Sequence, residues 1–423
     1  MQRRQFFNYL ANGIVTRLGA PLLLAKNRAI KDFARDDGEH FWRLVREQFP
    51  LTRERVYLNT GGLGASPYVV IDAVVSRINE LERISEAGHS EQLWSSIKQK
   101  AATLLGCDAE EIVYTRNATE GINIVCNGLP LKRGDEVITT THEHVGNAVP
   151  WLARQKRDGI ALKLFEPSIK SAPENLDRID RLISKRTRVI SVPHATTTTG
   201  QILPVKEIAA LAKAKNLWFF IDGAQAAGML NFNLHEIGCD AYATSGHKWL
   251  LGPKGTGLLY VRKDMLGVIQ PMWVGAYSDT GYNLQTGELT FHPTAQRYEY
   301  GTVSAPLFAG LGAAIDFLLK IGMENISARD SELSTALFNG LQKIPHVEIL
   351  SPLNGAERSA MITFKMKNID YLKLQSLLAE KYKLRTRGVG EAGINALRMS
   401  WHIYNSFEEV TRVLEGMSEA SKL

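Results

Sequence analysis

Cysteine is scarce in this chain of 423 residues, and its pattern argues against two classes of small protein. The three cysteines, Cys107, Cys126 and Cys239, are odd in number, and none belongs to a C-x-x-C pair. A disulfide framework needs an even set of cysteines, and a zinc knuckle needs closely paired ones. The sequence supports neither, so we interpret all three as small buried hydrophobic side chains.

The chain also lacks low-complexity runs, repeats of solenoid period and blocks of one charge. Its 44% hydrophobic and 22% charged residues are typical of a folded globular protein, which excludes disordered, fibrous and repeat classes. The net charge of +6 is spread along the chain rather than gathered into a basic stripe with interleaved aromatics. We therefore expect no nucleic-acid partner, whereas anionic substrates or a phosphate-bearing cofactor suit the charge.

The N-terminal residues 1–36 differ from the rest of the chain. The run RRQFF at residues 3–7 precedes a largely apolar stretch at residues 9–25, a pattern that resembles a twin-arginine export signal and predicts a periplasmic protein. Arg17 interrupts the stretch and no A-x-A cleavage site follows, so an N-terminal helix on a cytoplasmic protein is the alternative. With Arg17 inside it, the stretch is a poor membrane span, and we expect no stable membrane association.

From residue 55 onward, short apolar and β-branched runs alternate with helical patterns. This alternation predicts an α/β fold with a mostly parallel seven-stranded sheet flanked by helices. The predicted strands are residues 112–114, 136–138, 162–164, 188–192, 217–221, 241–243 and 257–261. After a helical pattern at 307–321, helices alternate with a few strands such as 360–364. We therefore predict a large domain at 37–315 and a smaller α+β domain at 316–423.

Asp222 and Lys248 follow apolar strands and carry the candidate chemistry. A buried carboxylate is costly without a charged partner, and a protonated pyridine nitrogen would be one, because the carboxylate raises the pKa of that nitrogen. Desolvation lowers the pKa of a lysine amine and makes it nucleophilic enough to form a Schiff base. The two residues together predict pyridoxal 5'-phosphate (PLP) attached at Lys248.

Four further motifs each allow more than one interpretation. Thr119 opens a helical run after a strand, where it can help to bind a phosphate or serve as a plain N-cap. His142 and His144 lack a third ligand at suitable spacing, so no metal site is expected. Arg398, on a predicted strand, can clamp a substrate carboxylate or form an ordinary ion pair. The glycine-rich run at 252–257 lacks the GK[ST] ending of a nucleotide-binding phosphate loop.

Together these motifs resemble the class V aminotransferase group of fold-type I PLP enzymes, which includes cysteine desulfurases and isopenicillin N epimerase-like proteins. The resemblance implies that the catalytic residues are Lys248, Asp222 and His144, and that Asn59, Gly61 and Arg398 contact the substrate. It implies that the cofactor contacts are Ala118, Thr119, His144, Thr197, Asp222, Gln225, Ser245, His247, Lys248 and Thr302.

The resemblance also implies where these groups act. Thr119, Ser245 and His247 would bind the phosphate, and His144 would stack on the ring. Thr302 would reach the phosphate of a neighbouring subunit, which implies a homodimer with shared active sites. Residues 194–200 (HATTTTG) depart from the double asparagine and glutamate of desulfurases, so Thr197 is assigned by position alone.

The motifs are common to transamination, racemisation, elimination and desulfurisation. A desulfurase needs a nucleophilic cysteine on a loop of the small domain, yet no cysteine follows Cys239, and residues 351–359, where we expect that loop, contain none. We therefore predict an aminotransferase or isopenicillin N epimerase-like enzyme acting on an amino acid or a peptide-derived substrate. A cysteine-independent C–S or β-lyase, and a catalytically inert binding protein on the same fold, are the alternatives.

Overall fold

The structure is a computed structural model that describes residues 38–423, apart from the side chain of His89. The predicted export signal or helix at residues 1–36 lies outside this range. The strands are β1 (Val56–Tyr57), β2 (Ile112–Thr115), β3 (Glu136–Thr140), β4 (Ala161–Phe165), β5 (Thr187–Pro193), β6 (Trp218–Asp222), β7 (Ala241–Ser245), β8 (Gly257–Val261), β9 (Asp279–Asn283), β10 (Glu288–Phe291), β11 (Val347–Ile349), β12 (Met361–Met366), β13 (Leu384–Arg385), β14 (Arg387–Val389) and β15 (Ala396–Ser400).

Helices connect most of the strands of the larger sheet and cover both sheets. They are α1 (Glu39–Arg46), α2 (Tyr68–Arg83), α3 (Glu91–Leu105), α4 (Ala118–Gly128), α5 (Val145–Asp158), α6 (Ala172–Leu182), α7 (Val205–Ala214), α8 (Leu234–Ile237), α9 (Ala305–Ile321), α10 (Met323–Leu341), α11 (Tyr371–Tyr382) and α12 (Phe407–Ala420). Within residues 38–423, no single helix is long and apolar enough to cross a membrane; α9 and α10 pass that test only as a pair bent by 79°.

The larger sheet has seven strands in the order β2-β8-β7-β6-β5-β3-β4, and only β8 runs antiparallel to its neighbours. These are the seven strands predicted from the sequence, so the α/β fold class is confirmed. Successive residues of a strand face opposite sides. Phe219 and Ile221 accordingly join one apolar core and Phe220 the other. Burial on both faces explains why the strands are continuous apolar runs rather than alternating ones.

The smaller sheet is antiparallel, with the order β11-β12-β15-β14. Its core is built with residues of α10, α11 and α12, including Leu337, Leu378 and Val413. Helix α9 contains the predicted domain boundary at residue 315 and packs against α2 and α3. The chain leaves α9 at Gly322, whose φ of 90° suits glycine. The boundary itself stays a prediction.

The first described segment lies against the C-terminal part of the chain. In α1, Glu39 pairs with the buried Arg329, and Arg46 pairs with Glu409 at 2.5 Å. Strand β1 then pairs in parallel with β13. Residue Asn59 forms a bridge to Ser400, at the end of β15. The N-terminal and C-terminal segments therefore reach the same edge of the larger sheet, where the candidate site lies.

Candidate active site

The predicted catalytic residues meet at the carboxyl ends of the parallel strands. Asp222 ends β6, Ser245 ends β7, and His144 follows β3 by one short turn. In open α/β sheets, ligands bind at this edge because the loops that follow the strands converge there. The topology thus explains why residues far apart in sequence share one site.

Lys248 and Asp222 are both buried, with only 8% and 5% of their surfaces exposed. Burial lowers the pKa of the Lys248 amine to about 8, although the charge of Asp222 opposes this change. Burial raises the pKa of the Asp222 carboxyl, and the nearby Lys248 opposes that rise. The amide of Ala224 donates to Asp222 Oδ1 at 3.0 Å. The site therefore holds a lysine that loses its proton at mild pH beside a carboxylate that needs a cation.

The turn that carries Lys248 is fixed from several sides. The amide of Gly64 donates to the carbonyl of His247 at 2.7 Å, and a Cβ at Gly64 would collide with the carbonyl of Lys248. The indole of Trp249, which is fully buried, donates to Gln225 Oε1 at 2.9 Å. These contacts leave the backbone of the turn little freedom, so the position of the amine is set by the fold.

The start of α4 and the end of β7 form the predicted phosphate end of the site. The Ala118 amide donates to Ser245 Oγ at 3.0 Å. A Cβ on Gly146 would lie 2.6 Å from Thr119 Oγ1 and 3.1 Å from His144 Nδ1, so this glycine lets α4 and α5 approach closely. Helix α4 also presents its positive dipole end here.

The donor set of this end fits the predicted cofactor. His247 Nδ1 is buried and has no hydrogen-bond partner among the described residues, which is costly unless a ligand supplies one. Burial, together with Lys248 and Lys254, lowers the pKa of His247 to about 4. A hydroxyl, a helix N-terminus and this free imidazole nitrogen suit a phosphate, while the Asp222 carboxylate suits a protonated pyridine.

His144 lies close enough to Lys248 for the charge of the amine to act on its imidazole. Its Nδ1 accepts a hydrogen bond from the Gly146 amide at 3.1 Å, which begins helix α5. Burial lowers its pKa to about 4, and the positive charges of Lys248 and Arg387 contribute. The ring is therefore neutral near pH 7, and it can stack on an aromatic cofactor without carrying a charge into the site.

Asn59, Gly61, Thr197, Gln225 and Arg398 form one hydrogen-bonded network. The fully buried Arg398 donates from Nη1 to the Thr197 carbonyl and hydroxyl, at 2.7 and 2.8 Å, and from Nη2 to Asn59 Oδ1 at 3.3 Å. Gln225 Nε2 donates to the Gly61 carbonyl at 2.9 Å. Burial lowers the pKa of Arg398 to about 9. The structure thus brings the predicted substrate residues together with two predicted cofactor contacts.

The four threonines that follow His194 connect the two sheets. The Thr198 carbonyl accepts from Thr363 Oγ1, and the Thr199 carbonyl accepts from Ser351 Oγ, both at 2.6 Å. Thr196 and Thr199 bond each other through their hydroxyls at 2.8 Å. Only Thr197 turns to Arg398, so most of this run holds the smaller sheet against the larger one.

Thr302 differs from most of the other predicted cofactor contacts in its exposure. It is exposed and lies in the irregular segment before α9, whereas the other predicted cofactor residues around Lys248 are mostly buried. Its contact with a neighbouring subunit stays a prediction.

Two residues near the site, Glu143 and Arg387, were not predicted from the sequence. Glu143 is buried after β3 and accepts from Asn147 at 2.8 Å and from Thr140 Oγ1 at 3.0 Å; burial raises its pKa to about 7. A buried acid after an apolar strand was the signal that identified Asp222, and it applies here as well. The sequence around Arg387 contains no comparable pattern, because the position of this side chain depends on the pairing of β14 with β15.

Comparison with known proteins agrees with this geometry. The family model for aminotransferase class-V matches residues 67–413. The chain is 31% identical to a cysteine desulfurase of Serratia proteamaculans, over 90% of this chain and 98% of the relative. It is 28% identical to a probable cysteine desulfurase of Methanothermobacter thermautotrophicus, over 89% and 97% respectively.

Solved structures give the same result. One is a complex between the cystine C–S lyase C-DES and its reaction product cysteine persulfide, with a TM-score of 0.82, 29% identity, and coverage of 88% of this chain and 99% of that one. Another structure of C-DES carries glycine covalently linked to PLP. The resemblance inferred from the motifs is confirmed: the chain belongs to the aminotransferase class-V family of fold-type I enzymes, and its cofactor is PLP.

Proposed function

We propose that the protein is a C–S lyase. It cleaves the bond between Cβ and sulfur in a sulfur-containing amino acid, and the sulfur departs with the released fragment. Relatives described as cysteine desulfurases and a similar structure described as a cystine C–S lyase support C–S bond chemistry. Those descriptions favour it over the transamination or epimerisation predicted from the sequence. The observation that carries the choice of a lyase is the distribution of cysteines.

No cysteine follows Cys239 in the chain, so the smaller sheet and its loops offer no thiol to accept sulfur. Cys126 and Cys239 are buried and Cys107 is half-buried. Burial raises the pKa of all three thiols, to about 12 for Cys126, so none is a ready nucleophile. The segment 351–359 is also tied to the threonine run, since the Ser359 amide donates to the Gly200 carbonyl at 2.9 Å. These features favour release of sulfur over its transfer to the enzyme.

The chain's own residues suit an elimination. PLP supplies an electron sink that makes the α-proton of a bound amino acid acidic. Arg398 can hold the α-carboxylate, and Lys248 can take the α-proton because its pKa of about 8 lies near the working pH. Asp222 would balance the positive charge of a protonated pyridine nitrogen. Trp249 and Gln225 are both buried, and hydrogen bonds join them to each other and to Gly61 at the edge of the site.

Cystine serves as the example for the balance of the reaction. The bond between Cβ and sulfur breaks, and its electron pair leaves with the sulfur, which takes up a proton to give cysteine persulfide. The remaining three-carbon unit is hydrolysed by one water to pyruvate and ammonia. Neither an oxidant nor an amino acceptor is needed, so the reaction is complete with substrate and water.

Epimerisation requires a base on each face of the α-carbon. His144 is the group opposite Lys248 in the family interpretation, but its pKa of about 4 makes it a weak base at neutral pH. This property argues against a two-base reaction and agrees with an elimination that uses Lys248 alone.

The test is product analysis with the PLP-loaded enzyme and L-cystine or L-cysteine. We expect pyruvate and ammonia in equal amounts from L-cystine, with persulfide detected by cyanolysis. Alanine as the product would indicate a desulfurase instead. Pyruvate that appears only when an oxoacid acceptor is added, or D-amino acid formation, would indicate the aminotransferase or the epimerase.

Cysteine variants provide the matched control. Cys107→Ser, Cys126→Ala and Cys239→Ala should each retain pyruvate formation, because no step uses an enzyme thiol. Lys248→Ala should form no pyruvate while binding PLP without a covalent link. Loss of pyruvate formation from L-cystine in one folded cysteine variant, with persulfide formation lost in parallel, would contradict the proposal.

A further inference from the structure

Glu143 is a buried acid that has no role in the reaction described above. It lies between β3 and α5, directly before His144, and only 8% of its surface is exposed. Burial raises the pKa of its carboxyl, and the nearby charge of Asp222 adds to this rise. Burying a carboxyl group is costly, so an acid at this place calls for a specific role.

Four hydrogen-bond donors converge on the Glu143 carboxylate. Its Oε1 accepts from Thr139 Oγ1 at 3.1 Å, from the Thr140 amide at 3.3 Å and from Thr140 Oγ1 at 3.0 Å. Its Oε2 accepts from Asn147 Nδ2 at 2.8 Å. A carboxylate accepts on both oxygens, whereas a glutamine presents one oxygen and one donating amide group. Only an acid can accept all four of these hydrogen bonds.

These hydrogen bonds join the end of β3 to the first turn of α5. Thr139 and Thr140 are the last two residues of β3, and Asn147 is the third residue of α5. Asn147 Nδ2 also lies 3.3 Å from Ser191 Oγ, in the neighbouring strand β5. The carboxylate of Glu143 therefore holds the start of one helix against the ends of two parallel strands.

His144 is the residue enclosed by this junction. The amide of Gly146 donates to its Nδ1 at 3.1 Å, and the amide of Asn147 donates to its carbonyl at 2.9 Å. The side chain of Glu143 fixes the strand end before His144 and the helical turn after it. The backbone that carries the imidazole is thus held from both sides.

We infer that Glu143 is a positioning residue, which with Asn147 holds the His144 imidazole at the angle at which it stacks on the PLP ring. The contact between two aromatic rings depends on the angle between their planes, so a small rotation of this junction would weaken it. The inference concerns the cofactor site and does not depend on which bond of the substrate is cleaved.

The experiment compares Glu143→Gln with the unmodified enzyme. Visible circular dichroism per mole of bound PLP reports the setting of the ring, and titration of the cofactor-free protein gives the dissociation constant of PLP. Whichever way the new amide turns, its donor group faces another donor, and one hydrogen bond is lost. We expect weaker dichroism and about tenfold weaker PLP binding, as for one buried hydrogen bond. Glu207→Gln alters an exposed glutamate of α7 and should change neither quantity.

A double variant provides the rescue. Glu143→Gln combined with Asn147→Asp exchanges the acid and the amide between the two positions. The amide at position 143 can then donate to the carboxylate at 147 and accept from Thr140, while Ser191 Oγ donates to the other oxygen at 147. We expect this variant to recover most of the dichroism and affinity lost in Glu143→Gln. If Glu143→Gln does not fold, Thr140→Val removes one donor and should give a smaller loss of the same kind.

His144→Asn tests whether Glu143 acts through the imidazole. Asparagine keeps an acceptor at the start of α5 but removes the ring. In this background, Glu143→Gln should cause little further loss of dichroism or affinity, because the group that it positions is absent.

Three results would overturn the inference. The first is unchanged dichroism and PLP affinity in Glu143→Gln, and the second is a double variant that recovers neither. The third is a loss in the His144→Asn background as large as in the unmodified enzyme, which would mean that Glu143 does not act through His144. None of these readouts requires turnover. An enzyme that forms no pyruvate yet shows the expected changes therefore contradicts only the proposed function.

Discussion

Lys248 lies among charges of both signs, and the balance between them sets its chemistry. Asp222 raises the pKa of its amine, while burial, Arg398 and Arg387 lower it, and the result is about 8. A surface lysine titrates near 10.4. The difference means that the amine of Lys248 is partly neutral under mild conditions, as a nucleophile and a base must be.

This balance predicts the titration of Lys248 in the protein without cofactor. Reductive methylation followed by peptide mass spectrometry should give a midpoint near pH 8 at Lys248, well below the value of about 10.4 for a lysine in a model peptide. Asp222→Asn removes the charge that favours the ammonium form, so the midpoint should fall below that of the unmodified protein. A midpoint near that of a lysine in a model peptide would contradict the account of burial.

Residues that follow apolar strands could be predicted from the sequence, and residues placed by pairing could not. Asp222 and Lys248 were recognisable because a charged group after an apolar strand is buried at a sheet edge. Arg387 is two residues from Arg385 in the chain, yet one faces the site and the other is exposed. That difference depends on the register of β14 with β15, which no local pattern specifies.

At the scale of elements, the Lys248 turn is held by a buried polar pair from the C-terminal part of the chain. His402, just after β15, contacts the Trp249 carbonyl through Nε2 at 3.1 Å and Asp330 Oδ2 of α10 through Nδ1 at 2.9 Å. All three residues are almost fully buried. Both ring nitrogens of His402 therefore face oxygen atoms inside the protein.

Asp330→Asn should therefore destabilise the protein and disturb the site together. Altering one partner of this buried hydrogen bond costs roughly 1–3 kcal/mol, because it leaves a buried polar group without its partner. We expect a lower urea midpoint and weaker PLP retention per mole of folded protein, measured by absorbance after dialysis. Glu419→Gln breaks the surface pair with Lys381 and should change the urea midpoint little, because water screens an exposed pair. Equal stability of the two variants would show that the pair does not hold the turn.

The threonine run at residues 196–199 acquires its role through contacts that form only in the folded chain. From the sequence, residues 196–199 were a departure from the desulfurase pattern, with no function assigned except for Thr197. In the structure, carbonyls of Thr198 and Thr199 accept from Thr363 and Ser351. The threonine run therefore joins the two sheets. The partners of Thr198 and Thr199 lie more than 150 positions away in the chain. The sheets could be predicted, but their contact could not.

Across the whole molecule, buried neutral histidines make stability depend on pH. Burial lowers the pKa of His194 to about 4, from 6.5 in an unfolded chain. As the pH falls, the unfolded state takes up the proton first, so the stability present above pH 6.5 is lost between 6.5 and 4. At pH 5 this loss is about 2 kcal/mol for His194 alone.

Urea unfolding at pH 7 and pH 5 measures this effect. His194→Gln should lower stability at pH 7, since it disturbs the 3.1 Å contact with Tyr242, but its further loss toward pH 5 should be smaller than that of the unmodified protein. His40→Gln alters an exposed histidine and should keep the original pH dependence. An unchanged pH dependence in His194→Gln would contradict the buried neutral state.

The assembly of two chains into a homodimer remains a prediction. Thr302 is exposed in the single chain, and large apolar side chains are exposed near it in sequence, including Trp273 at 64% and Leu284 at 89%. A concentration of exposed apolar surface is typical of a protein interface. Both features agree with the homodimer that the family resemblance implies, in which Thr302 completes the site of the partner copy.

Mixed dimers test whether the sites are shared. Lys248→Ala lacks the catalytic amine, and Thr302→Ala should weaken PLP binding in the partner's site. If Thr302 acts across the interface, refolding an equal mixture should restore about a quarter of the intact sites, because each heterodimer contains one site with both natural residues. Tight PLP binding and turnover should reappear together in the mixture. If Thr302 acts within its own chain, each heterodimer carries one defect per site, and mixing should restore nothing.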